Sequence, residues 1–229
     1  MDKSLTIVCE ALKKIFNQLK PQHHPVSFTI MTGKRGQGIS TLLQQSNFRL
    51  YDLNNHAQIK IYYNNLGVIL DLSESWLSKS NTLLQNTLKQ LNHCHKHIRI
   101  SGITLCVSLP TLCNADDLHA ICDAHSELLK QFGASLNYRI DTAIIFTKTD
   151  QITGFCEFFQ QNNTHELQKP LGFSLQYQHG NQYYISQFEQ FIEAMGQPIV
   201  DKLHAIRSST KRTLIREFPL QLASLNAAI

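Results

Sequence analysis

One segment limits what this chain can fold into more than any other. Residues 26–31 are a short β-prone run. It leads directly into Thr32-Gly33-Lys34-Arg35-Gly36-Gln37-Gly38-Ile39-Ser40-Thr41, and then into the helix-like Leu42-Leu43-Gln44-Gln45. Strand, glycine-rich turn and helix in that order are the context of a phosphate-binding loop, read G-x-x-x-x-G-K-[ST]. In such a loop the glycines let backbone N–H groups cradle phosphates at a helix N-terminus. The lysine bridges the β- and γ-phosphates, and the hydroxyl after it holds magnesium. Here Gly33, Gly38 and Ser40 match, while Ile39 stands in the lysine's place. Isoleucine offers no charge and no hydrogen bond, so the contact is lost. Lys34 and Arg35, inside the loop, are the cations near enough in sequence to substitute.

Two later segments sit where a nucleotide-binding protein carries its other elements. Asp71-Leu72-Ser73-Glu74 follows a β-prone run, as D-x-x-G does in GTPases. Asp71 is placed to reach magnesium through water, but Glu74 replaces the glycine whose N–H serves the γ-phosphate. A carboxylate is a poor neighbour for a phosphate. Thr147-Lys148-Thr149-Asp150 resembles the guanine-reading N-K-x-D, with Asp150 as acceptor for the base, Lys148 packed over it, and threonine for asparagine. The vestigial nucleotide set is therefore Gly33, Lys34, Arg35, Gly36, Gly38, Ser40, Thr41, Asp71, Lys148 and Asp150, with Ser40 and Asp71 the ligands if magnesium is bound. No residue is assigned a catalytic role.

The rest of the chain supplies alternating elements. Leu5, Val8, Leu12, Ile15 and Leu19 recur at helical spacing, ended by Lys20-Pro21. Strands are expected over 58–63 and 67–70, with Asn64-Asn65 taking the positive φ values of a tight hairpin turn. A helix carries Leu84, Leu88 and Leu91. Residues 103–109 and 140–146 read as strands buried on both faces. The helix between them places Leu118, Ile121, Cys122, Leu128, Leu129 and Phe132 at matching positions. Beyond Lys169 the chain is helical, with Ile185, Phe188, Ile192 and Met195 on one stripe. The expected fold class is α/β: a P-loop, Ras-like G-domain with a mostly parallel sheet flanked by helices and a helical C-terminal appendage. The expected divisions are an N-terminal helix (1–25), a degenerate P-loop domain (26–168) and a helical extension (169–229).

Composition narrows the function classes. With 42% hydrophobic and 17% charged residues in 229, the chain suits a folded soluble domain. It has no apolar run long enough to span a bilayer and no secretory signal at its start. A net charge of +4, partly from Arg207, Lys211, Arg212 and Arg216, is mild; the cluster reads as a solvated helix face, with anionic lipid headgroups or nucleic acid as the alternative partner. No aromatic stacking motif or basic stripe marks nucleic-acid binding. Six cysteines lie without a C-x-x-C pair, which suits reduced thiols in a reducing compartment. His93-Cys94-His95-Lys96-His97 does not converge on one helix face, so no metal site is assigned.

The third element continues as Gln151-Ile152-Thr153-Gly154-Phe155-Cys156-Glu157-Phe158-Phe159. It resembles the T-K-x-D-x-x-x-G-F-x-x-F-F signature of the IcmF/TssM family of bacterial secretion systems. Leu171-Gly172-Phe173-Ser174-Leu175 is similar to that family's W-G-F-T-L, and Phe218-Pro219-Leu220-Gln221 to its F-P-x-Q. The resemblance runs over roughly residues 26–225. It implies an inner-membrane protein, anchored by segments absent from this chain, with this domain on the cytoplasmic side. It implies a DotU/TssL-type inner-membrane partner and contacts with other subunits of a type IVB (Dot/Icm) or type VI complex.

The expectation is therefore a non-hydrolysing scaffold domain, not an enzyme, with no cofactor. The alternatives are a GTPase or ATPase with a rearranged loop that takes GTP or ATP with Mg and powers or regulates secretion, and a module that binds nucleotide through Lys148 and Asp150 without hydrolysing it. Trp76, Phe155, Tyr183 and Tyr184 are candidate docking anchors if exposed, as aromatics often dominate interface energy.

Overall fold

The computed structural model describes residues 3–19, 26–53, 59–72, 81–94, 99–112, 115–176 and 180–227. The chain forms two compact units, Met1–Ser108 with His119–Thr147, and Leu109–Leu118 with Lys148–Ile229.

The first unit is built on one sheet. Its strands are β1 (Ser27–Thr32), β2 (Arg49–Tyr51), β3 (Ile59–Tyr63), β4 (Gly67–Leu72), β5 (Gly102–Ser108) and β6 (Asp141–Thr147), in the spatial order β2-β3-β4-β1-β5-β6. β1 runs parallel to β4 and β5, and β5 runs parallel to β6. β2 and β3 are antiparallel to their neighbours. Alternation sends Phe28 and Ile30 of β1, Leu70 and Leu72 of β4, and Ile103 and Leu105 of β5 to one face. Three helices cover that face: α1 (Lys3–Gln18), α3 (Asn81–Asn92) and α5 (Ala115–Ser135). They bury Leu5, Val8, Leu12 and Ile15, then Leu84, Leu88 and Leu91, then Leu128 and Phe132. On the other face α2 (Ile39–Gln45) sets Ile39 and Leu43 against Met31, Tyr62 and Cys106. A mostly parallel sheet with a glycine turn between β1 and α2, and helices on both faces, is the expected Ras-like G-domain arrangement.

Four details depart from the sequence reading. β2 was not expected; its three residues are too few for periodicity to register. The β3–β4 connection uses no positive φ at Asn64 or Asn65. Instead the Asn64 Oδ1 accepts from the N–H groups of Leu66 and Gly67, a side-chain turn that does the work of a left-handed backbone. On α5, Cys122 is exposed and the core stripe is Ile121, Leu128 and Phe132. Finally, β6 is not a buried strand: residues 141–144 are exposed, Ile144 at 54%. β6 is the outermost strand, and an apolar run does not by itself distinguish centre from edge.

The second unit is helical, comprising α4 (Leu109–Leu112), α6 (Phe155–Phe159), α7 (Thr164–Leu167), α8 (Gly180–Gly196), α9 (Ile199–His204) and α10 (Ser209–Ser224). Residues 148–168 thus group with the C-terminal helices. Its core is Phe158, Met195, Ile215, Phe218 and Leu222. On α8, Phe188 and Met195 are buried as expected, whereas Ile185 is 42% exposed. Asn163 opens α7 with a capping box, its side chain accepting from the Glu166 N–H while Glu166 accepts from the Asn163 N–H.

Candidate functional site

The turn after β1 has the shape of a phosphate loop and closes upon itself. Gly36 and Gly38 take φ of 85° and 81°, the left-handed region where glycine is at home. Gly33 is needed for a different reason. A Cβ there would lie 2.7 Å from the Cys106 carbonyl oxygen and 2.3 Å from the Gln37 Oε1. That second distance locates the Gln37 amide: it is folded back inside the loop. Its Oε1 accepts from the Lys34 N–H at 2.7 Å, and the residue is 4% exposed. A protein oxygen thus takes one of the backbone donors that such a loop offers to phosphate. Sequence reasoning passed over Gln37 because its position in the motif is a free x.

Ile39 does more than omit a charge. It is 7% exposed and packs with Leu43 of α2 upon Met31, Tyr62 and Cys106 of the sheet. The first residue of α2 therefore serves the apolar layer beneath the loop. Burial pushes the Cys106 thiol up to about 12, with the Asp71 charge adding, so this cysteine is an inert packing group, as expected.

Ser40 and Asp71, the magnesium ligands expected from the sequence, lie on α2 and β4. Lys60 of β3 lies directly across from Asp71 of β4 in the register, and its Nζ is 3.4 Å from the Ser40 Oγ. Burial pushes the half-buried Asp71 carboxyl above its ordinary range, and Lys60 pulls it back. The Lys60 ammonium thus donates to the Ser40 hydroxyl and lies on the strand position facing Asp71. A cation beside Ser40 and Asp71 would meet the positive charge of Lys60. Among the described residues no group of three or more metal-ligating side chains converges. Lys60 was invisible to the motif search because it lies on a neighbouring strand, in register rather than in sequence.

Thr147 shows what survives of the third element. Its Oγ1 donates to the Gln37 carbonyl at 2.6 Å, so the end of β6 ties down the loop. Lys148, at φ 56°, opens a 3-10 turn over Thr149–Gln151, and Asp150 is exposed. These two residues belong to the second unit, whereas the loop, Ser40 and Asp71 belong to the first. Of the other loop residues, Lys34 is half-buried, and Arg35, Gly36 and Thr41 are exposed. The Lys34 charge, after burial, helps push the His125 imidazole below its usual value. Glu74 and Trp76 lie outside the described residues, as do His95 and His97.

The signature blocks converge within the second unit. Phe218 meets Phe155, Phe158 and Phe159 with ring centroids 5.6, 5.1 and 5.8 Å away. Gly154, at φ 87°, brings the start of α6 against α10, where a Cβ would stand 2.2 Å from the Leu214 carbonyl oxygen. G-F-x-x-F-F and F-P-x-Q are thus two halves of one packing motif. Lys202, 9% exposed, donates to the Asn162 Oδ1 and lies 4.8 Å over the Phe158 ring. Phe155 and Tyr184 are packing residues, the latter stacked on Phe188. Arg207, Lys211, Arg212 and Arg216 are exposed, and the Lys211 ammonium donates to the Gln160 Oε1.

No curated protein matches this chain. Among solved structures, the small COPII coat GTPase SAR1 of Encephalitozoon cuniculi, in complex with GDP, is similar at a TM-score of 0.41 and 13% identity. The match covers 63% of this chain and 59% of that one. Among the described residues no helix is long and apolar enough to cross a membrane. The family model described as the IcmF-related N-terminal domain matches residues 78–229, from just beyond the Asp71 segment through both aromatic blocks. The chain therefore belongs to the IcmF-related family of secretion-system components.

Proposed function

We propose that this chain is a non-hydrolysing scaffold: the cytoplasmic domain of an inner-membrane IcmF-like protein, docking a DotU/TssL-type partner and supporting assembly of the secretion apparatus. The observation that carries the reading is the loop's use of its own residues. Gln37 fills it, Ile39 is committed to the core, and Lys60, opposite Asp71 in register, donates to the Ser40 hydroxyl. Each withdraws one of the three things a nucleoside triphosphate needs there: a free N–H donor, a lysine and a magnesium ion. A loop kept for its turn rather than its ligand suits a platform for other subunits. No step of hydrolysis is assigned to any residue.

Thermal unfolding tests this directly. A ligand at 100 times its Kd stabilises a protein by about 2.7 kcal/mol. Millimolar GTP, ATP, GDP or ADP, with magnesium, is expected to leave the midpoint unchanged, while a DotU-like partner co-purifies with the chain. A clear shift that Lys34→Ala abolishes would overturn the scaffold reading in favour of a working site with a relocated lysine.

A further inference from the structure

The basic cluster near the end of the chain takes no part in the loop or in the aromatic motif. α10 is held to the second unit by Ile215, Phe218 and Leu222, which are buried in its core. Its outer side carries Arg212, Arg216 and Leu220, spaced four residues apart and therefore on one row of the helix. All three are exposed, Leu220 at 70%. Residues 207–229 contain four cations, Arg207, Lys211, Arg212 and Arg216, against a single acid, Glu217. Lys211 donates to a neutral partner, the Gln160 Oε1 at 3.2 Å, so its charge is not cancelled. Beside the start of α10, Gln160, Gln161, Ile206, Arg207, Ser208 and Lys211 line an open pocket of about 460 Å³.

We propose that this face is a docking surface for an anionic lipid bilayer, with headgroup phosphates received at Arg207 and Lys211 and with Leu220 entering the boundary between headgroups and acyl chains. The chemistry of each part fits that partner. Each cation set near an anionic leaflet raises partition onto it by about fivefold. The glutamine and serine side chains of the pocket can hydrogen-bond the glycerol oxygens and hydroxyls of a headgroup such as that of phosphatidylglycerol. An exposed leucine in line with two arginines suits a partner that is charged outside and apolar within. A nucleic-acid backbone would attract the arginines equally and leave Leu220 in water. The row from Arg212 to Leu220 rises by about 12 Å, so α10 lies along the surface for all three to reach it. Its inward side chains stay in the core, and the helix binds without leaving its unit. The choice of a bilayer rests on the reading of the chain as the cytoplasmic domain of an inner-membrane protein.

The test is sedimentation of the full chain with vesicles of phosphatidylcholine alone, and of phosphatidylcholine with about 30% phosphatidylglycerol, in about 0.1 M salt. Association with the anionic vesicles is expected to be at least about tenfold tighter, and to fade as about 0.5 M salt screens the charges. Arg212→Gln combined with Arg216→Gln should weaken it about 25-fold, the product of two such steps. Leu220→Ser should weaken it about threefold. Lys13→Gln combined with Lys14→Gln removes the same charge from exposed positions of α1 and should change it by less than about twofold. These positions are exposed, so each variant should keep the parent's circular dichroism. The proposal is overturned if neutral vesicles bind equally well, or if the α1 variant loses as much as the α10 variant. It is also overturned if the chain binds duplex DNA or single-stranded RNA and leaves anionic vesicles untouched. Co-purification of the DotU-like partner is a separate readout: partner retained with no vesicle binding removes the lipid surface and leaves the scaffold reading standing.

Discussion

Changing Ile39 to lysine restores the loop's consensus and asks whether one residue is all that separates it from a working site. The structure answers through packing. Ile39 is 7% exposed within the layer formed by Met31, Leu43, Tyr62 and Cys106. Burying an isoleucine side chain contributes about 1.5–3 kcal/mol. A lysine stem can line part of the same slot, but its ammonium must thread outward or lose its hydration. The net cost is expected to be about 2–4 kcal/mol, a large share of the 5–15 kcal/mol that holds a typical domain together. At roughly 2–4 °C per kcal/mol, the midpoint falls by about 5–15 °C. Urea denaturation followed by circular dichroism measures the loss, and hydrogen exchange in peptides covering β1 and β5 assigns it to the first unit. Ile39→Lys should still gain no stability from GTP with magnesium, because Gln37 and Lys60 are unchanged. If instead the variant matches the parent within about 0.5 kcal/mol and is stabilised by millimolar GTP, then Ile39 is a missing contact rather than a core residue, and the reasoning from burial fails.

Gly154→Ala forces a Cβ to 2.2 Å from the Leu214 carbonyl oxygen and strands alanine at φ 87°. About 1–2 kcal/mol for the left-handed backbone and 1–3 for the overpacking give a loss of roughly 2–5 kcal/mol. It should be read in exchange of α6 and α10 peptides, and protection equal to the parent's there would contradict it. Asp71→Asn tests the buried carboxylate. Burial raises its folded pKa above the unfolded value. The folded state thus holds the proton more tightly, and the stability this contributes is full below the unfolded pKa near 4 and lost as pH rises through the folded one. At pH 7 the amide variant should therefore unfold at a higher urea midpoint than the parent, and the advantage should vanish as pH falls towards 4. An asparagine variant less stable at pH 7 would mean that the Lys60 pairing outweighs desolvation.

The fold was legible because its signals are local and strong. Leu84, Leu88 and Leu91 could only be a helix face, and the glycine turn between a strand and a helix placed β1 and α2; the strand order came from the structure. The candidate site was legible only in its departures from the motif. Ile39 in the lysine position is plain to any reader, yet its place in the core is a fact of packing. Gln37 and Lys60 carry no motif: one bends its side chain back on its own turn, the other reaches Ser40 from a neighbouring strand. The same holds for the aromatic blocks. Their spacing identified a family, but that Phe218 and Gly154 belong to one contact emerges only when α6 and α10 meet.

The exposed strand β6 has a consequence for handling the molecule. Asp-Thr-Ala-Ile-Ile-Phe-Thr, over Asp141–Thr147, has five of its seven residues of high β-propensity, no proline and a single charge at one end. It carries an outer row of backbone donors and acceptors with no strand beyond it among the described residues. Natural edges usually carry a lysine, a bulge or a proline that discourages further growth of the sheet. This one does not, so the chain keeps an open seam from which aggregation can be templated. Purification at high concentration should meet that hazard before any loss of stability in the core, and a lysine at Ile144 is the simplest guard against it.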